Sequence, residues 1–239
     1  MAIKKTFPLI LSVKTDEFRQ DDPANELAAS KYGKIRRKVL EDYNYTCQGC
    51  GFKALPKQNA HPLSLEASGY LEAHHLHGHK ENDPKNITLL CPFCHMICHI
   101  GFSAHKNRFA LIYFPWLKQA EINLLTTCCG VAIYRKGKYS EDAKSLLKYI
   151  ESFDNTLRVR YGDILADPIK LSMALGTLGR KNKDLYEKRG NALADFRILP
   201  DISKFPKQFE HWSNTSWLKG PTWEEMWRKI YKQWEKKVT

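Results

Sequence analysis

Two Cys-x-x-Cys hooks, Cys47-x-x-Cys50 and Cys91-x-x-Cys94, constrain this chain more than any other feature. Each hook lets adjacent backbone turns aim two sulfurs at one ion, and four thiolates suit a closed, tetrahedral, structural Zn2+ site. Between and just beyond the hooks stand His74, His75, Asn86, His95 and His99. Neutral imidazole is a ligand for a second, open ion, and such a site would do chemistry. The segment therefore predicts two metal sites with different jobs.

The 239 residues suffice for one large core or two modest ones, and 43% apolar content excludes wholesale disorder. A formal charge of +12 favours a polyanionic partner such as nucleic acid, although charge alone does not select one. Seven cysteines, an odd number, without a secretory signal before them predict the reduced cytosol, hence a cytoplasmic protein. Lys4-Lys5 followed by Phe7 to Val13 imitates a signal peptide. The apolar run is short, however, Pro8 interrupts it, and Asp16-Glu17 follow without a small-residue cleavage site, so it reads as a strand. Nowhere are there about 20 consecutive apolar residues, so no membrane insertion is expected and any membrane association would run through a partner.

Thr15 to Ser30, polar and acidic with Pro23, reads as a loop or short irregular helix. Tyr32 to Tyr43 predicts a basic amphipathic helix, with Ile35, Val39 and Leu40 at helical spacing and Lys34, Arg36, Arg37 and Lys38 on the other faces. It runs into the first hook, where Gly49 and Gly51 stand where the chain must turn tightly around a metal. Tyr70 to His75 and Ile87 to Leu90 predict strands, joined by a polar loop from Leu76 to Lys85 that closes on Asp83-Pro84. Pro92 suits the first turn of a helix through Ile100, with Gly101 as its cap. His95 and His99, four apart on that helix, would project from one face, and a metal could bridge them.

Strand, loop, strand and helix, in that order and carrying these residues, resemble the HNH or ββα-metal nucleases. The lead-in Arg36 to Glu41 before the first hook, Glu72-Ala73-His74-His75, Asn86 before Ile87-Thr88-Leu89-Leu90, and Cys91-x-x-Cys94-His95 fall in that family's order from about Ile35 to Gly101. The resemblance implies His74, His95 and His99 as ligands of a catalytic ion and His75 as general base. Asn86 would brace the loop between the strands, so the implied catalytic set is His75, Asn86 and His99. Such an enzyme hydrolyses DNA: a Lewis acid acts on the phosphodiester oxygens, and a base with pKa near 7 takes a proton from water. Strand geometry requires His74 and His75 to point to opposite sides; which of them binds rests on the resemblance. The residue types accept Mg2+, Mn2+, Zn2+ or Ni2+ alike. His77 and His79 read as solvated or as supporting groups, and Cys98 as packed.

Beyond the hooks, Cys128-Cys129 sits without a partner hook in the apolar run Ile122 to Tyr134, which predicts core burial. That run belongs to a helix starting after Pro115; Ser140 to Phe153, with Ser140 as N-cap, and Asp167 to Leu178 predict two more. The hook Tyr45 to Phe52 and the stretch from Leu111 through Gln119-x-x-x-Asn123-x-Leu125 are similar to the IcmJ/DotN family. That resemblance, over roughly Val39 to Leu178, implies a component of a type IVB secretion or conjugation system linked to its coupling complex. The family's HNH-like fold typically lacks the catalytic histidines, whereas His74, His75, Asn86, His95 and His99 all stand in this chain.

Arg180 to Arg189 reads as a basic linker or a nucleic-acid-facing loop. Trp212, Trp217, Trp223, Trp227 and Trp234 crowd the C-terminus, where Thr222-x-x-Glu225 reads as a capping box and Trp223, Trp227, Ile230 and Trp234 share a helix face. Regular helical spacing favours burial of that face, on the protein's own helices or on a partner, over base stacking. The sequence thus predicts an α+β protein: an N-terminal strand and loop over 1–30, a zinc-stabilised ββα-metal (HNH) domain over 31–105, and a mainly helical extension over 106–239. The expected function is metal-dependent hydrolysis of DNA, with Arg36, Arg37 and Lys38 on phosphates. The alternative is a non-catalytic, zinc-stabilised adaptor whose partner is a type IV coupling-complex protein.

Overall fold

The computed structural model describes residues 7–13, 26–62, 64–76 and 83–215, together with Arg228 and Lys232. The protein is a mixed α and β structure in which helices predominate and two small antiparallel sheets lie apart. Helix α1 (Glu26–Asp42) turns Val39 and Leu40 into the core, as its apolar spacing requires. Strand β1 (Glu72–His75) pairs with β2 (Ile87–Leu90), His74 opposite Thr88 and His75 opposite Ile87. All four residues of β2 are buried, so this strand is covered on both faces.

Helix α2 (Pro92–Cys98) begins on Pro92, and it stops before the cap that Gly101 suggests. His99 leaves helical geometry (φ −139°, ψ 48°), and α3 (Ile100–His105) runs straight through Gly101. The reason lies in the N-terminal segment. Ile100 N–H donates to Ser12 C=O (3.0 Å) and Ser12 N–H donates to Ile97 C=O (2.9 Å), so another piece of backbone takes up groups that a continuous helix would pair internally. Phe7 to Val13 therefore forms no strand; its backbone bonds are spread over Gln48, Ile97, Ile100 and Tyr186. Arg189 completes the attachment, donating to Leu11 C=O (3.1 Å) and Ser12 Oγ (2.8 Å) with its guanidinium over the Tyr186 ring.

The expected linker over Arg180 to Arg189 is thus corrected: it holds the end of α7 (Pro168–Lys181), α8 (Lys183–Glu187) and the clasp just described. Before it come β3 (Phe109–Tyr113), α4 (Gln119–Arg135), α5 (Ser140–Glu151) and α6 (Phe153–Ala166); after it come α9 (Arg189–Ala192), β4 (Phe196–Pro200) and α10 (Pro206–Thr215). Ser140 lies inside α5 and caps nothing, whereas Asp167 caps α7 by accepting from the N–H groups of Ile169 and Lys170. Strands β3 and β4 pair antiparallel, Leu111 opposite Ile198, within the otherwise helical extension.

One apolar cluster takes side chains from both halves. Trp212 of α10 is wholly buried, packs edge-on against Phe52 beside the first hook and against Phe93 of α2, and donates its indole N–H to Gly69 C=O (2.9 Å). Cys128 and Cys129 are buried as expected, and burial pushes the Cys128 thiol pKa up. Trp217, the capping box and the Trp face that follows, like His77 and His79, lie outside the described residues. Among the described residues, no helix is long and apolar enough to cross a membrane.

Candidate metal centres

The first hook closes because α1 ends in a turn and the chain folds back at Thr46, which bridges to Lys53. Gly51 takes a left-handed φ of 78°, and at Gly49 a Cβ would stand 2.9 Å from Cys94 Sγ, so the predicted need for glycines is met by two distinct demands. The second hook opens α2, with Cys91 extended before the helix and Cys94 inside its first turn. Cys47, Cys50, Cys91 and Cys94 come together with their sulfurs within 4.8 Å of one another. The Cys50–Cys91 sulfur separation is 3.7 Å. A zinc tetrahedron with Zn–S bonds near 2.3 Å has sulfur–sulfur edges of about 3.8 Å. The four cysteines can therefore hold a structural metal such as zinc.

Their ionisation fits a cation. Burial opposes charge on Cys47, yet hydrogen bonds from the other three sulfurs outweigh it and hold its pKa well below the usual thiol value. The hydrogen bond to Cys47 raises Cys50, while burial first and Cys47 second raise Cys91 and Cys94. Ionisation of one thiol thus opposes ionisation of the others, and a dication at their centre would favour ionisation of all. Two donors already face the sulfurs: Cys91 N–H points to Cys47 Sγ (3.1 Å) and the Asn123 amide to Cys94 Sγ (3.2 Å).

His95 of α2 and His99 just after it meet His74 of β1 in a second cluster, their ligand nitrogens also within 4.8 Å of one another. The ring centroids stand 5.0 Å (His74–His95), 5.3 Å (His74–His99) and 4.8 Å (His95–His99) apart. His99 reaches the group from the break between α2 and α3, not from a continuous helix face. Three imidazoles leave coordination positions open, unlike the four thiols. Glu72, two residues before His74 and so on the same face of β1, accepts a hydrogen bond from His95 Nδ1. With Nδ1 so engaged, Nε2 is the His95 nitrogen left to serve a metal. Phe7 packs its ring edge-on against His74 at 5.6 Å.

His75 lies outside this trio, buried, on the opposite face of β1. Asn86 is buried as well; its C=O accepts from Leu76 N–H (2.8 Å) and its N–H donates to Asp83 C=O (2.9 Å). The basic residues of α1 diverge. Arg36 donates to Ser68 Oγ (2.7 Å) and reaches Leu71 C=O (3.4 Å), Lys38 pairs with Asp42, and Arg37 is exposed. Arg36 thereby ties α1 to the approach of β1.

With this geometry in place, comparison with known proteins gives one informative result. The chain is similar to DotN. This type 4 apparatus protein of Legionella pneumophila is 25% identical over 186 residues, which span 77% of this chain and 79% of DotN. No family model matches the chain.

Sequence reasoning missed three side chains of the two centres. Glu72 carried a readable signal in its two-residue spacing from His74. Gln119 and Asn123, four apart at the start of α4, belong to the stretch that resembles the IcmJ/DotN family, yet nothing local says that Asn123 meets a sulfur 29 positions earlier.

Proposed function

We propose that this protein is a component of a type IV apparatus, a DotN-like adaptor whose fold is organised by zinc on Cys47, Cys50, Cys91 and Cys94. The observation that carries the reading is similarity to DotN across more than three quarters of both chains. It would join the apparatus through a protein partner, since no described helix can cross a membrane. Isolation of the tagged chain at native abundance from its own cells tests this. Other apparatus proteins should accompany it in stoichiometric amounts, and isolation without any of them would refute the assignment.

A second reading is favoured by the trio of His74, His95 and His99 with Glu72 beneath it, an arrangement that a purely adhesive role does not require. An ion held there would supply Lewis-acid polarisation of phosphodiester oxygens. His75 would accept the proton of the attacking water on an imidazole nitrogen, Asn86 would keep the loop beside it in place, and Glu72 would orient His95. The ββα order of β1, β2 and α2 supports an HNH-type endonuclease acting on DNA. Plasmid nicking across Mg2+, Mn2+, Ni2+ and Zn2+ decides the matter: wild-type protein should nick with at least one ion and His75→Ala should lose about 10²- to 10⁴-fold. No nicking with any ion removes this reading and leaves the adaptor standing.

A further inference from the structure

Cys94 Sγ accepts from Asn123 Nδ2 at 3.2 Å, Asn123 Oδ1 accepts from Gln119 Nε2 at 2.9 Å, and the Gln119 amide then meets the backbone of Ile198 twice. Gln119 Nε2 donates to Ile198 C=O (2.8 Å) and Ile198 N–H donates to Gln119 Oε1 (2.9 Å). The Gln119 side chain thus pairs with β4 as a neighbouring strand's peptide group would. Every member is buried, with Asn123 and Ile198 fully enclosed and Gln119 6% exposed. The chain of bonds runs from the hook cysteines through the first turn of α4 into the β3–β4 sheet.

We infer that Gln119 and Asn123 form a relay that binds the tetrathiolate ion to β4, so that the ion holds the C-terminal extension as well as the hooks. The inference rests on zinc at the four cysteines. A thiolate is a far better acceptor than a thiol, so the Asn123 bond is strongest when Cys94 ligates a metal. An Asn fixed by that bond presents its oxygen to Gln119, and Gln119 in turn can satisfy both groups of Ile198. Loss of the ion therefore weakens β4 selectively, although β4 contributes no ligand. Buried amides that merely satisfied one another would keep β4 indifferent to the metal.

The full chain provides two independent readouts. In cobalt-substituted protein, Asn123→Leu should move the sulfur-to-metal charge-transfer band to longer wavelength, since removing an N–H donor raises the energy of the sulfur lone pairs. The same variant should weaken zinc binding by about 10- to 100-fold, the usual effect of losing a partner of a metal ligand. In zinc-loaded wild type, the Ile198 amide should exchange slowly, and zinc removal should speed it well beyond that of Ile150 in α5. Gln119→Met, which leaves Asn123 in place, should keep zinc and the cobalt band while Ile198 exchanges fast, and it serves if Asn123→Leu fails to fold. An unmoved band and unmoved affinity in Asn123→Leu, or equal acceleration at Ile198 and Ile150 on zinc removal, overturns the relay and leaves the zinc site intact. Failure of the wild type to bind zinc or cobalt through sulfur overturns both.

Discussion

The cysteine and histidine clusters share the short helix α2, through Cys94 and His95, and are built by different rules. Around the cysteines the protein is closed: Cys47, Cys91 and Cys94 are buried, backbone and Asn123 donors point at sulfur, and Trp212 packs against Phe52 beside the hook. Around the histidines it is open, with His95 and His99 half-buried and Glu72 at the surface end of its strand. A closed centre that uses four ligands has nothing left for a substrate and contributes to folding. An open centre with three ligands contributes little to folding and keeps positions for exchange.

This contrast can be broken most forcefully at Cys94. Cys94→Ser removes a ligand from a site at which zinc would bind with about 10–16 kcal/mol, and the variant should melt well below the wild type. An unchanged circular-dichroism melt would mean that the closed centre does not organise the fold. Next in size, Trp212→Ala should cost about 3–5 kcal/mol through the cavity left between Phe52, Phe93 and Phe209, read as a shift of the urea midpoint. A shift below about 1 kcal/mol would show that α10 does not close the cysteine side.

At the open centre the same kind of substitution should behave oppositely. His95→Ala should lower stability by less than about 1 kcal/mol yet abolish Mn2+ or Ni2+ binding in calorimetry, and Glu72→Gln should weaken that binding by about tenfold. Collapse of the fold in His95→Ala would erase the distinction between the centres. Asp167, which belongs to neither centre, sets the small end of the scale: Asp167→Ala should cost about 1 kcal/mol at neutral pH by loss of the α7 cap. Backbone N–H bonds from Lys170 and Ile169 hold the Asp167 carboxyl below its ordinary pKa. Its contribution is therefore full above about pH 4 and fades as pH falls through the lowered folded pKa, so wild type and variant should converge in strong acid.

The two centres were also unequally legible. Hook spacing alone pairs Cys47 and Cys50 with Cys91 and Cys94, because few other arrangements satisfy four closely spaced sulfurs, and Pro92 and the apolar spacing of Val39 and Leu40 locate the flanking helices. The grouping of His74 with His95 and His99 followed from the HNH resemblance, but the break at His99 did not, since it depends on backbone bonds to Ser12, 87 positions earlier. Sheet β3–β4 was missed for a related reason. Phe109 to Tyr113 is a continuous apolar run without alternation, and its partner follows more than 80 residues later. The N-terminal segment erred the other way: Phe7 to Val13 has a strand's composition, yet its hydrogen bonds go to Gln48, Ile97, Ile100, Tyr186 and Arg189.

The most direct test of the closed centre is X-ray absorption at the zinc edge on purified full-length protein. Four sulfur neighbours at about 2.3 Å, with stoichiometric zinc that mild chelation leaves in place, are the predicted result. Absence of bound zinc, or a shell containing imidazole nitrogen in place of a sulfur, would contradict the assignment of the four cysteines to one structural ion.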